Sequence, residues 1–278
     1  MNKKSILQRR IFLPVALGLL TAVLYIPVVI PLVRQWLSDA NYRHGIAIPI
    51  ISGLILWTRR RELVGLDRTG GRVTGYILVL LSAGLLIGGT AASEFFTARL
   101  SLPLMLLAFS YILGGGEFVK RARFPLLFLL MMIPLPYIMY YRITFPMQIM
   151  SAKLGTSLLN LIHIAVVRRG NILVLPNYEL EVVAACSGLR SLMTMITLAL
   201  VISAFSDLTT ARKAILVLCA VPAAVIANTF RLAVTAIGAY SISVKFAEGT
   251  LHEISGLIVF LAGFLLLMIT LGILRWVR

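Results

Sequence analysis

Ile143-Thr144-Phe145-Pro146-Met147-Gln148-Ile149-Met150-Ser151-Ala152-Lys153-Leu154-Gly155-Thr156-Ser157-Leu158-Leu159-Asn160-Leu161-Ile162-His163-Ile164-Ala165-Val166-Val167 is long enough to cross a bilayer, and whether it crosses sets the topology of the chain. Gln148, Lys153, Asn160 and His163 recur among its apolar residues, a pattern that fits an interfacial or re-entrant amphipathic helix better than a full span. The basic loops support that reading. With this stretch held out of the alternation, Lys3 to Arg10, Arg59 to Arg72, Lys120 to Arg123, Arg212 with Lys213, and Arg275 with Arg278 fall on one side. That side then carries most of the 26 Lys and Arg. Cytoplasmic loops collect such residues, so both termini are expected in the cytoplasm. A crossing at 143–167 would move the Arg212 loop to the opposite face.

The surrounding sequence leaves no doubt about the class of environment. Of 278 residues, 60% are hydrophobic and 13% charged, against about 25% charged in soluble domains. Apolar runs lie at Ile11–Val33, Gly45–Trp57, Val73–Ala92, Leu100–Leu113, Phe124–Tyr141, Leu189–Phe205, Ala214–Ala239 and Ile254–Trp276. The expected fold is an all-α polytopic membrane protein with about eight transmembrane helices, the interfacial or re-entrant helix, and a short β-hairpin on the outer face. It forms a single integral membrane domain over residues 1–278. Lys3, Lys4, Arg9 and Arg10 resemble the start of a signal peptide, but the run behind them is too long and lacks a small-residue cleavage site, so a retained first helix is expected. The net charge of +16 follows from the loops. It calls for a lipid bilayer as partner and for no nucleic acid.

After Val167, the segment Gly170 to Val183 reads as two short strands about the Pro176-Asn177 turn. An open hairpin edge in lipid would leave backbone groups without hydrogen bonds, so the hairpin belongs outside, packed on protein or wetted by water. Next comes Val183-Ala184-Ala185-Cys186-Ser187-Gly188-Leu189-Arg190-Ser191-Leu192, which gathers a thiol, a hydroxyl and a guanidinium. With the topology above, Cys186 opens the sixth span at its outer end, Arg231 lies near the outer end of the seventh, and His252 opens the eighth. Three groups far apart in sequence are thus expected at one depth.

Those residue types suit nucleophilic chemistry. A guanidinium and a helix amino terminus both favour a thiolate. Thr250 and Glu253 have capping-box spacing, which places His252 in a first helical turn, where a neutral imidazole can move a proton during attack on a carbonyl. The forked donors of Arg231 can hold an oxyanion or a carboxylate. The supporting candidates are Ser187, Arg190, one turn from Cys186, and Asn228, one turn before Arg231. Cys219 reads as packing. His44, His163 and His252 are too scattered for a zinc site, so no metal and no cofactor are expected.

These residues resemble the exosortase/archaeosortase family. Ala185 to Leu192, then Asn228-Thr229-Phe230-Arg231, then His252 with Gly256, are similar to its three signature blocks; Tyr42-Arg43-His44-Gly45 with Pro49, and Ile133-Pro134-Leu135-Pro136, add support. The resemblance implies a membrane cysteine protease or transpeptidase facing the periplasm or exterior of the cytoplasmic (inner) membrane. Its implied roles are nucleophile for Cys186, proton transfer for His252, and thiolate or oxyanion stabilisation for Arg231. Its implied substrates are membrane-anchored proteins with a carboxy-terminal sorting signal: a Pro-Glu-Pro-type motif, a transmembrane helix and a basic tail. Larger family members carry a fused soluble domain, so the expected counterpart here is a separate soluble exopolysaccharide-associated protein.

Two other readings remain open on the residues alone. One is a non-catalytic transporter or assembly factor for exopolysaccharide export, whose substrate path intramembrane arginines would suit. The other is a polysaccharide polymerase or ligase, which would need no cysteine.

Overall fold

A computed structural model describes the backbone of residues 3–63, 65, 66, 70–176, 178–182, 188–243 and 250–276; the side chains of 3–14, 188, 189 and 250–255 lie outside it. The chain forms two compact units, Met1–Leu135 and Pro136–Arg278.

The first unit holds α1 (Lys3–Ser38), a 3-10 turn (Arg43–Ile46), α2 (Ala47–Thr58), the single turn α3 (Arg60–Leu63), α4 (Arg72–Ala91), α5 (Phe95–Phe128) and a second 3-10 turn (Leu129–Met132). Helices α4 and α5 form a tight antiparallel pair. Glycine lets their backbones approach: a methyl at Gly89 would lie 2.6 Å from the Ala98 nitrogen. The joint between them is economical. Ser93 takes a left-handed conformation (φ 55°), its N–H bonds to the Thr90 carbonyl at 3.1 Å, and the Glu94 N–H bonds back to Gly89 at 2.7 Å. That is a Schellman end for α4. The Glu94 carboxylate then caps α5, accepting from the N–H of Phe96 at 3.2 Å and of Thr97 at 2.6 Å. Those bonds, chiefly the ones from Thr97, hold its pKa below the ordinary carboxylate value.

Tyr25 of α1 packs at the centre of this unit. Its hydroxyl donates to Ser101 Oγ at 3.0 Å and lies 3.1 Å from Ser82 Oγ, while Ser82 donates to the Ser101 carbonyl at 2.7 Å. Three helices are joined by groups that satisfy one another in an apolar interior. Trp36 donates to the Met132 carbonyl at 2.9 Å, and a methyl at Gly45 would strike the same indole at 2.4 Å. The Tyr42-Arg43-His44-Gly45 turn is therefore locked by packing. Its His44 is half-buried, and that burial lowers its pKa against two opposing backbone bonds.

The second unit holds α6 (Tyr137–Leu161), strands β1 (Val167–Arg169), β2 (Ile172–Val174) and β3 (Glu179–Glu181), then α7 (Gly188–Phe205), α8 (Thr210–Ser241) and α9 (Thr250–Trp276). Helix α6 ends without glycine. His163 adopts the left-handed conformation (φ 62°), its N–H bonds to Asn160 at 3.0 Å and that of Ile164 to Leu159 at 3.0 Å, again a Schellman motif. Ile164 and Leu159 are both buried, as the motif's hydrophobic contact requires. The antiparallel sheet runs β1-β2-β3, with Leu173 opposite Leu180. Both are buried with Leu159 of α6 and with Leu232, Ala236 and Ala239 of α8. The sheet thus seals the last turns of α6 and α8.

The all-α polytopic membrane fold is the observed one, with differences in its elements. Among the described residues, five helices are long and apolar enough to cross a membrane, and two apolar helices are shorter, Arg43–Thr58 and Arg190–Phe205. The Phe124–Tyr141 run is not one helix. Its chain leaves the helix at Ile133-Pro134-Leu135-Pro136, because proline lacks the N–H and crowds the preceding turn. The amphipathic segment expected at 143–167 is a continuous helix that starts earlier, at Tyr137, and stops at Leu161. The expected hairpin is a three-stranded sheet, since β1 adds to β2 through the turn at Gly170 (φ 64°).

Candidate active site

Helices α7, α8 and α9 pack in turn, and one contact sets their register. A methyl at Gly263 of α9 would lie 2.7 Å from Met195 Cε of α7 and 3.6 Å from Ala227 Cβ of α8. Alternating chain direction carries all three toward the same end of the unit. From that level, Gly188 of α7 and Gly256 of α9 are each seven residues away, about 10 Å at 1.5 Å per residue. Arg231 is one turn from Ala227 toward the same end, and its long side chain reaches the rest of the way.

Arg231 is buried, with 7% of its surface exposed. This separates it from an arginine that snorkels to the interface. Its guanidinium rests on α9: a methyl at Gly256 would lie 3.5 Å from both Cζ and Nη2. Any larger side chain there would contest that space. His252 is the third residue of α9, in its first turn as the capping-box spacing predicts, and one turn from Gly256 on the same helix face. Its side chain lies outside the described atoms. Cys186 and Ser187 lie outside the described residues altogether. They fall between β3, whose Leu180 seals the end of α8, and Gly188, the first residue of α7. The structure therefore brings Arg231 against the helix that carries His252.

The supporting residues divide. Arg190 is an exposed residue of the first turns of α7, and its carbonyl accepts from Thr194 Oγ1 at 2.5 Å. Asn228 is 1% exposed and donates from Nδ2 to Ser151 Oγ of α6 at 3.2 Å. Cys219 is a free thiol lower on α8. Among the described residues, no His, Cys, Asp and Glu cluster could hold a metal ion.

A buried polar stripe on α6 is a feature that the amphipathic pattern of the sequence did not single out. Thr144, Gln148 and Ser151 are all buried, and Gly155 continues their face against α8, where a methyl would lie 2.9 Å from Leu232 Cδ2. Gln148, one of the polar residues that give the segment its amphipathic pattern, is among the buried ones. The spacing of small and polar residues at 144, 148, 151 and 155 is the signal that could have assigned this face to a partner helix. Lys153 and Asn160 do face outward.

Fold and site together define a multi-pass membrane protein whose second unit buries an arginine where α8 meets the start of α9. Residues 36–269, which span both units, match the family model described as Transmembrane exosortase (EpsH). The chain belongs to the transmembrane exosortase family. No curated protein and no solved structure matches it.

Proposed function

We propose that this exosortase is a membrane cysteine protease or transpeptidase acting on exported proteins that carry a Pro-Glu-Pro-type motif, a transmembrane helix and a basic tail. The observation that carries the reading is the guanidinium of Arg231 against Gly256, one helical turn from His252. His252 takes the proton of the Cys186 thiol as sulfur attacks the scissile carbonyl. Arg231 stabilises the resulting oxyanion with two donors of its rigid fork. Collapse breaks the C–N bond, His252 returns the proton to the leaving amine, and a thioester remains on Cys186. Water, or an acceptor amine or glycan hydroxyl, attacks that thioester and frees the thiol. Asn228, tied to Ser151, holds the Arg231 face of α8 in place. The active site faces the periplasm or cell exterior, where the motif of a substrate with a cytoplasmic basic tail would lie.

The test is processing of a membrane reporter bearing motif, helix and tail. Cys186→Ala and Cys186→Ser are each expected to lower the rate by at least about 10³-fold, with an adduct at Cys186 trapped in the parent protein. Processing at the parent rate by either variant would overturn the proposal. Full activity in a cysteine-free chain would favour a polysaccharide polymerase or ligase instead.

A further inference from the structure

The first unit contains a cavity of about 610 Å³ that the proposed chemistry does not use. That volume lies within the range of about 300–1,000 Å³ typical of small-molecule sites. Its walls include Leu63, Leu106, Phe109, Leu113 and Phe118, and Arg60 supplies a charge to the lining. The backbone creates the space. At Gly115 (φ 79°, ψ 177°) α5 breaks its helical course, a conformation that favours glycine, and the chain re-forms a helix in a new direction. Leu106 to Leu113 and Phe118 to Leu126 thereby become two walls of one elbow, which Leu56, Arg60, Leu63 and Leu66 close from another side.

The charge is concentrated beside this elbow. Arg59, Arg60 and Arg61 lie on one segment and Lys120, Arg121 and Arg123 on the other, and among the described residues of these two stretches the carboxylates are Glu62 and Glu117. Glu117 is already paired with Lys120 at 2.6 Å. Arg121 reaches the Glu62 carbonyl at 3.5 Å, which ties α3 to the post-kink half of α5 and draws the two basic clusters together. Arg60 is held over the Trp57 ring at 4.6 Å and donates to the Trp57 carbonyl at 2.8 Å, so its guanidinium is oriented before any ligand arrives. An apolar cleft that runs along α5 from Gly114 to Leu106, about 12 Å at 1.5 Å per residue, ends in a cationic rim.

We infer that this elbow is a binding site for an anionic phospholipid, with one acyl chain in the cleft and the phosphate on Arg60 and Arg121. A zwitterionic lipid fits the cleft equally well but brings a cationic choline to a rim already rich in positive charge. Basic pockets between membrane helices select anionic headgroups for this reason.

The protein reconstituted in nanodiscs of equimolar phosphatidylglycerol and phosphatidylcholine with matched chains, then released for native mass spectrometry, provides the test. One phosphatidylglycerol should remain bound, favoured over phosphatidylcholine on the order of 30-fold. Arg60→Gln with Arg121→Gln should abolish the preference, and Arg60→Lys with Arg121→Lys should keep it, which separates loss of charge from loss of fold. Leu106→Trp, at an exposed wall position, should expel both lipids. Arg212→Gln with Lys213→Gln, a basic pair in the other unit, should change nothing. Equal retention of both lipids by the parent, a preference that survives the Gln pair, retention in Leu106→Trp, or equal loss on neutralising Arg212 and Lys213 would each overturn the inference.

Discussion

The two units bury polar groups in opposite ways. In the first, Tyr25, Ser82 and Ser101 bond to one another, Trp36 finds the Met132 carbonyl, and Ser52 donates to Pro125 at 2.7 Å. Only Asn41 Oδ1 among its described residues is a buried side-chain atom without a hydrogen bond. In the second, Gln148 Oε1, Asn228 Oδ1 and the hydroxyls of Thr197, Thr229 and Thr235 are buried without one among the described residues. Buried groups left unsatisfied cost free energy, and those of the second unit lie on α6, α7 and α8. Asn228 lies one turn from Arg231 on the same helix. Among the described residues, the first unit thus bonds nearly all its buried polar groups, while the second leaves Asn228, Thr229 and Thr235 with unbonded buried atoms on the helix that carries the buried Arg231.

That contrast can be broken or sharpened by substitution. Arg231→Gln should lower reporter processing by about 10²–10³-fold, the scale seen when an oxyanion donor is removed. Arg231→Lys should recover little, because a point charge lacks the two-pronged donor geometry; recovery to the parent rate would show that only charge matters there. A bulky residue on the facing helix should act nearly as strongly. Gly256→Leu should cost about 10²-fold by displacing the guanidinium, whereas the methyl of Gly256→Ala would sit at ordinary contact distance, 3.5 Å, and should leave the rate near that of the parent. Equal rates for both variants would detach Arg231 from the chemistry. The smallest effect belongs to the first unit. Tyr25→Phe should lower thermal stability by about 1 kcal/mol without changing processing, and a loss of processing at full stability would end the division between the units.

Sequence alone revealed the membrane class, the long apolar first helix, the paired strands after Gly170 and the family signature. Those rest on composition, alternation and residue identity, which are local. What it concealed depends on which face meets a neighbour. Gln148 is polar and reads as wet, yet it is buried because Ser151 and Gly155 let α8 approach. The elbow at Gly115 was hidden inside a stretch whose glycines gave no hint of direction. The end of α6 carries His163 where glycine is usual, so no stop signal was visible. The Ile133–Pro136 break was legible in its two prolines, but continuous hydropathy across it argued for a span.

The joint at Ala92-Ser93-Glu94 has a consequence for how this chain can vary in length. Surface loops ordinarily absorb insertions and deletions. Here Ser93 and Glu94 finish α4 and Glu94 starts α5, so no residue in the joint is spare. One added residue would turn α5 by about 100° relative to α4 and rotate Ala98 away from Gly89. Among related chains, length at this joint should therefore be as fixed as the identity of a core residue, and epitope tags or reporter fusions placed there should be rejected while the exposed turn at Gly170 accepts them.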